Sequence, residues 1–171
     1  MSAVKNAEPF NFSHTASAAL GGGTRLVSEP ATGETLWSVN LATPADVAAA
    51  AQAAEQAQAR WVQVPPREKA EILRRAGELF SQRHDELSLH VARETGGILP
   101  KGQHEIREAA VLCHLAASMP LQSQGQVLPS TPGRMSLARR VPRGVVGVIS
   151  PFNFPMILTL RAVAPALAAP W

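Results

Sequence analysis

Cysteine is nearly absent from this sequence: Cys113 is the only one in 171 residues. A single thiol excludes an internal disulfide framework and suits a reducing compartment. Charge of one sign is scarce too. The 16 basic and 13 acidic side chains leave a formal charge of +3. The pI of about 9.8 therefore reflects a small arginine excess and not the basic field that a nucleic-acid partner needs. No apolar run is long enough to span a bilayer. The most hydrophobic stretch, 145–169, is interrupted by Ser150, Asn153, Arg161 and three prolines, which argues against a membrane partner. Residues 1–23 carry Lys5 and Glu8 but lack the continuous apolar core of a secretory signal. The expectation is a soluble, cytoplasmic protein. Repeats, low-complexity tracts and coiled-coil heptads are missing. His84, His90, His104 and His114 form no i, i+4 pair and stand at no zinc-like spacing, so no metal site is expected.

What is present suffices for one core, since 46% of the residues are hydrophobic. After an irregular lead-in over 1–23, two β-prone runs flank Pro30-Ala31-Thr32-Gly33-Glu34 and predict a hairpin. Thr43-Pro44-Ala45-Asp46 places an N-cap, a first-turn proline and an early acid, starting a helix that runs to about Val62. Pro65-Pro66 breaks it. A longer helix follows, with Ile72, Ala76, Leu79, Phe80, Leu87 and Val91 at helical spacing. Gly96-Gly97 stops that helix, and a third runs over about 102–118 with Ile106, Ala110, Cys113 and Ala117 on one stripe. Extended segments are expected at 126–128, 134–141 and 145–149, and a last helix over 156–168.

The richest segment is Gly144-Val145-Val146-Gly147-Val148-Ile149-Ser150-Pro151-Phe152-Asn153-Phe154-Pro155. Its valines and Ile149 suit a parallel strand buried on both faces. A polar loop at the carboxyl end of such a strand is where open α/β sheets bind ligands. Pro151 and Pro155 stiffen that loop around Asn153, whose carboxamide N–H can donate to an oxyanion. The plain alternative is a turn asparagine between two prolines.

Residues 142–155 closely resemble the strand-and-loop signature of the aldehyde dehydrogenase superfamily. Pro30 to Glu34, Trp61 with Arg67, Leu79-Phe80, Glu94-Thr95-Gly96 and the helix over 161–169 extend the similarity across about 25–169. The resemblance implies an α/β fold: a hairpin and long helices leading into an incomplete parallel, Rossmann-like sheet. Residues 24–123 and 144–171 would form a partial cofactor-binding domain, and 124–143 an arm through which family members form homo-oligomers. Asn153 would be the catalytic oxyanion donor. Ile149, Ser150, Pro151 and Phe152 would line the NAD or NADP site, with Phe152 where the family often has tryptophan.

The implied reaction is NAD(P)-dependent oxidation of a small-molecule aldehyde, of the benzaldehyde or vanillin type, to a carboxylic acid. The family's nucleophilic cysteine, general-base glutamate and glycine-rich cofactor turn belong to later segments. The catalytic domain is therefore expected to be absent. Pro170-Trp171 replaces the family's usual Gly-Asn, so a truncated or frameshifted chain, inactive alone, is expected. The alternative is a non-catalytic remnant or an interaction and oligomerisation module.

The other conspicuous residues have simpler readings. Cys113 lies on the apolar stripe and reads as a buried structural thiol, since the adjacent His114 points to another side of the helix. The histidines read as solvated helix positions, and Glu94 and Glu105 as helix-surface acids. Arg134, Arg139, Arg140 and Arg143 read as protective charges on an edge strand. Gly21-Gly22-Gly23 reads as a flexible link.

Overall fold

The computed structural model describes residues 20–169. Most of the lead-in expected over 1–23 lies outside the described residues, as do Pro170 and Trp171. The glycine run is not a flexible link. Gly22 N–H donates to Leu41 O at 3.0 Å, Leu41 N–H to Gly23 O at 2.8 Å, and Gly21 N–H to the Asp46 carboxylate at 3.1 Å. These bonds extend the expected hairpin, in which β1 (Thr24–Ser28) pairs antiparallel with β2 (Thr35–Asn40).

Helix α1 (Pro44–Trp61) begins as its sequence dictates. Asp46 N–H donates to Thr43 Oγ1, and Thr43 N–H donates back to the Asp46 carboxylate at 2.7 Å, closing a capping box. The longer helix expected next is two helices, α2 (Pro66–Gln82) and α3 (His84–Thr95), separated at Arg83. The break lets each piece turn a face of its own toward α4. Within α2 the buried positions are Lys69, Ala70, Leu73 and Gly77, whereas Ile72 and Leu79 of the expected stripe are exposed. Gly96 ends α3 in the left-handed conformation at φ 68°, which only glycine adopts freely.

Helix α4 (Leu99–Ala116) starts three residues earlier than expected. Pro100 sits in its first turn, where an amide N–H would have no helical partner anyway. The stripe Ile106, Ala110, Cys113 and Ala117 is buried as the spacing predicts. Gly102 allows α3 and α4 to touch, since a Cβ there would lie 2.2 Å from Ser88 O. A 3₁₀ turn (Met119–Leu121) follows, and Leu73, Ala116, Ala117, Ala164 and Ala168 form a core cluster.

Antiparallel strands β3 (Gly125–Leu128) and β4 (Ser136–Arg139) make an exposed ribbon within the expected arm. The segment 145–149 corrects its expectation: it joins no ladder and is exposed, with Ile149 at 98%. A parallel strand needs a neighbour for its backbone groups and helices over both faces, and the described residues supply no neighbour. The class is α/β, with two small antiparallel sheets and no parallel pairing among the described residues. Helix α5 (Pro155–Ala168) packs on α4.

Candidate active site

The candidate site is the loop between the extended segment 145–149 and α5. Proline at 155 gives α5 its first residue with φ already helical, while Phe154, the residue before it, lies outside the helical region at φ −138°, ψ 65°. Such a helix start lacks a side-chain cap of its own. The loop is tied internally instead: Ser150 Oγ donates to Pro155 O at 3.0 Å, closing the segment into a short arch. Asn153 sits on that arch, exposed, between Phe152, which is 90% exposed, and Phe154, exposed at 37%.

The expected site residues Ile149, Ser150, Pro151, Phe152 and Asn153 therefore form one continuous surface. Ile149 and Phe152 present bare apolar faces, and Asn153 presents an amide. Ser150 is engaged with the backbone rather than free to meet a ligand. Among the described residues no group of His, Cys, Asp or Glu could hold a metal ion.

Two residues beside the loop were missed by sequence reasoning. Glu105, expected on the helix surface, is fully buried. One of its carboxylate oxygens accepts the Met156 backbone N–H at 3.0 Å, in the first turn of α5. The other pairs with Lys101 Nζ, one helical turn earlier on α4. That ammonium also stands 4.9 Å from the centre of the Phe154 ring. The signal was available: Gly102, Glu105, Ala109, Cys113 and Ala116 recur three or four apart and are all buried. The buried face of α4 is one row wider than its apolar stripe, and the added row carries a charged residue.

The histidines divide. His104 and His114 are exposed as expected, but His84 and His90 are partly buried. His84 Nε2 lies 3.2 Å from Gln103 O, and the His90 ring packs edge-on against Trp37 at 5.5 Å. Cys113 is buried, and burial pushes its thiol up from the usual range. It is no exposed nucleophile.

Away from the loop, an apolar groove of about 660 Å³ opens between the C-terminal ends of α1 and α5 and the extended segment. Trp61, Val64, Val145, Val163 and Leu167 line it together with Lys69. Lys69 is 3% exposed and its ammonium lies 5.5 Å from the Trp61 ring centre. Desolvation lowers its pKa.

The match to known proteins covers nearly all the described residues. The model of the Aldehyde dehydrogenase family matches residues 19–170. The chain belongs to the aldehyde dehydrogenase family. A vanillin dehydrogenase of Amycolatopsis is 50% identical over 147 residues, 86% of this chain and 30% of that protein. An NAD(+) benzaldehyde dehydrogenase of Pseudomonas putida is 45% identical over 148 residues, again 86% of this chain and 30% of that protein. Among solved structures, an NAD-dependent benzaldehyde dehydrogenase from Corynebacterium glutamicum superposes with a TM-score of 0.82 at 38% identity. That superposition covers 88% of this chain and 33% of the other. The chain thus spans about 30% of the length of the curated relatives it matches.

Proposed function

We propose that these residues serve the NAD(P)-dependent oxidation of an aromatic aldehyde to its carboxylic acid. The observation that carries the reading is the Ser150–Pro155 arch, which holds Asn153 outward beside the apolar faces of Ile149 and Phe152. Family membership and the vanillin and benzaldehyde dehydrogenases among the relatives support it.

In this reading the Asn153 carboxamide donates a hydrogen bond to the oxygen that becomes anionic when a nucleophile adds to the aldehyde. A preorganised donor of that kind contributes about 2.7–4 kcal/mol to the transition state. Ile149, Ser150, Pro151 and Phe152 form one wall against the nicotinamide cofactor, which when bound supplies the hydride acceptor. Bare apolar faces beside a small polar arch fit a planar aromatic ring, and Phe152 offers a stacking surface. The described residues at the loop offer no phosphate cradle, so the wall is one side of a site only.

Cys113 is 2% exposed and is not the nucleophile in this reading. The exposed β3–β4 ribbon is a surface through which copies would associate, as expected for the arm over 124–143. Nothing in the arrangement favours the non-catalytic alternative over this reading.

The test mixes purified chain with NAD+ or NADP+ and benzaldehyde or vanillin while reduced cofactor is followed, alone and with the complementary C-terminal portion of a vanillin dehydrogenase. Turnover that requires both pieces and is lost in Asn153→Ala supports the proposal. Absence of turnover in every combination, or turnover indifferent to Asn153, overturns it.

A further inference from the structure

Helix α5 has no cap from its own sequence, since Phe154 at the N-cap offers no hydrogen-bonding side chain. The first-turn N–H of Met156 finds its acceptor 51 residues away, in the Glu105 carboxylate. That carboxylate is fully buried, a placement that is unfavourable for a charge unless it is paired and hydrogen-bonded. Both conditions are met: Lys101 Nζ pairs with one oxygen and the helix N-terminus with the other. The positive end of the α5 dipole adds a further favourable interaction. Lys101 in turn covers the Phe154 ring. Phe154 and Met156, one and three residues after Asn153, are therefore both held by one ion pair on α4, while Ser150 ties the near side of the arch to Pro155.

We propose that the Lys101–Glu105 pair is the positioning device for Asn153: Glu105 fixes the start of α5, Lys101 fixes Phe154, and together they set the direction of the Asn153 amide. The catalytic meaning of that direction rests on the aldehyde-oxidising function proposed above. The device itself does not. Sequence type alone places both residues on a solvated helix surface; only the packing of α5 on α4 brings them to the loop.

The experiment uses the full 171-residue chain and reads amide hydrogen exchange and NMR spectra of Glu105→Leu, Glu105→Gln and Lys101→Met. In Glu105→Leu the Met156 amide exchanges about 10- to 100-fold faster, the range expected for losing a hydrogen bond to a charged acceptor. The two Asn153 side-chain N–H signals then move toward averaged values, while amides of the β1–β2 hairpin keep their protection. In Glu105→Gln a carbonyl acceptor remains, so Met156 recovers most of its protection. Lys101→Met leaves Met156 protected but shifts the Phe154 ring signals and narrows the dispersion of the Asn153 pair. Glu105→Gln buries no unpaired charge and remains readable should Glu105→Leu fail to fold. Unchanged Asn153 and Phe154 signals in Lys101→Met overturn the proposal, as does Glu105→Gln losing as much Met156 protection as Glu105→Leu. No readout uses cofactor or aldehyde. A chain with this pattern whose complemented form oxidises no aldehyde would therefore fault the functional reading alone.

Discussion

The indole N–H of Trp61 donates to the carbonyl oxygen of Leu167 at 3.0 Å, joining the last residue of α1 to the last turn of α5 across 106 positions of sequence. The Leu167 carbonyl is among those at a helix end that have no partner within the helix. Trp61 supplies one and at the same time lies under the Lys69 ammonium. Trp61→Phe keeps most of the ring and loses the donor. It should lower stability by about 0.5–1.5 kcal/mol in urea denaturation, the usual net worth of such a bond. An unchanged midpoint would mean that water replaces the indole at no loss.

Gly102 decides how closely α3 and α4 approach. A methyl group there would overlap the Ser88 carbonyl oxygen, which is backbone and has no rotamer to escape into. Gly102→Ala should destabilise the chain by about 1–3 kcal/mol or more, despite alanine being the better helix former. Thermal melting of the two proteins side by side decides it, and a stabilised variant would contradict the packing described.

Asp46 gives the fold an acid limb. Hydrogen bonds from the Thr43 backbone and side chain, and from the Gly21 N–H, hold its carboxyl below the usual value of 3.8. A folded pKa below the unfolded one means that the unfolded chain binds the proton more readily. The contribution is therefore fully present above 3.8 and is lost as pH falls through the lower folded value. Asp46→Asn should flatten this part of a stability-against-pH curve, measured by urea midpoints between neutral pH and pH about 2. A variant whose acid limb is as steep as the parent's would show that other carboxyls produce it.

Cys113 works in the opposite sense. Burial raises its thiol above the usual 9.0, so its stabilising preference for the neutral form is intact below that value and fades as pH rises through the folded one. At neutral pH its alkylation by iodoacetamide should be at least about tenfold slower in the native chain than in urea, because the buried thiol is both inaccessible and un-ionised. Equal rates would return Cys113 to candidacy as a nucleophile.

Asn153→Ala separates function from folding. The residue is exposed on the loop, so stability should change by no more than about 0.5 kcal/mol. Aldehyde turnover in the complemented protein should fall about 100- to 1000-fold. A comparable loss of stability would instead make Asn153 a structural turn residue.

Much of this architecture was legible because it is local. The Thr43-Pro44-Ala45-Asp46 cap, the Gly96 stop and the buried face of α4 each follow from neighbours within a few residues, as does the hairpin around Gly33. Local hydrogen bonding and helical periodicity act over that range. The family signature at 142–155 was equally legible, being a contiguous run. The break at Arg83 was not, because the alternative of one long helix satisfies the same periodicity and only the direction of α4 chooses between them. The segment 145–149 differs from expectation for a related reason: its composition suits a buried strand, but pairing is a property of two strands.

By itself the sequence determined the family, most of the element types and the presence of a polar loop carrying Asn153. The tertiary structure decided what holds that arch. Glu105 and Met156 are 51 residues apart, and a carboxylate on a helix is a surface group until another helix end arrives to bond it. Burial of a charge is a cooperative outcome of packing, requiring Lys101, the α5 N-terminus and the α4–α5 contact together, and no single stretch of sequence contains all three.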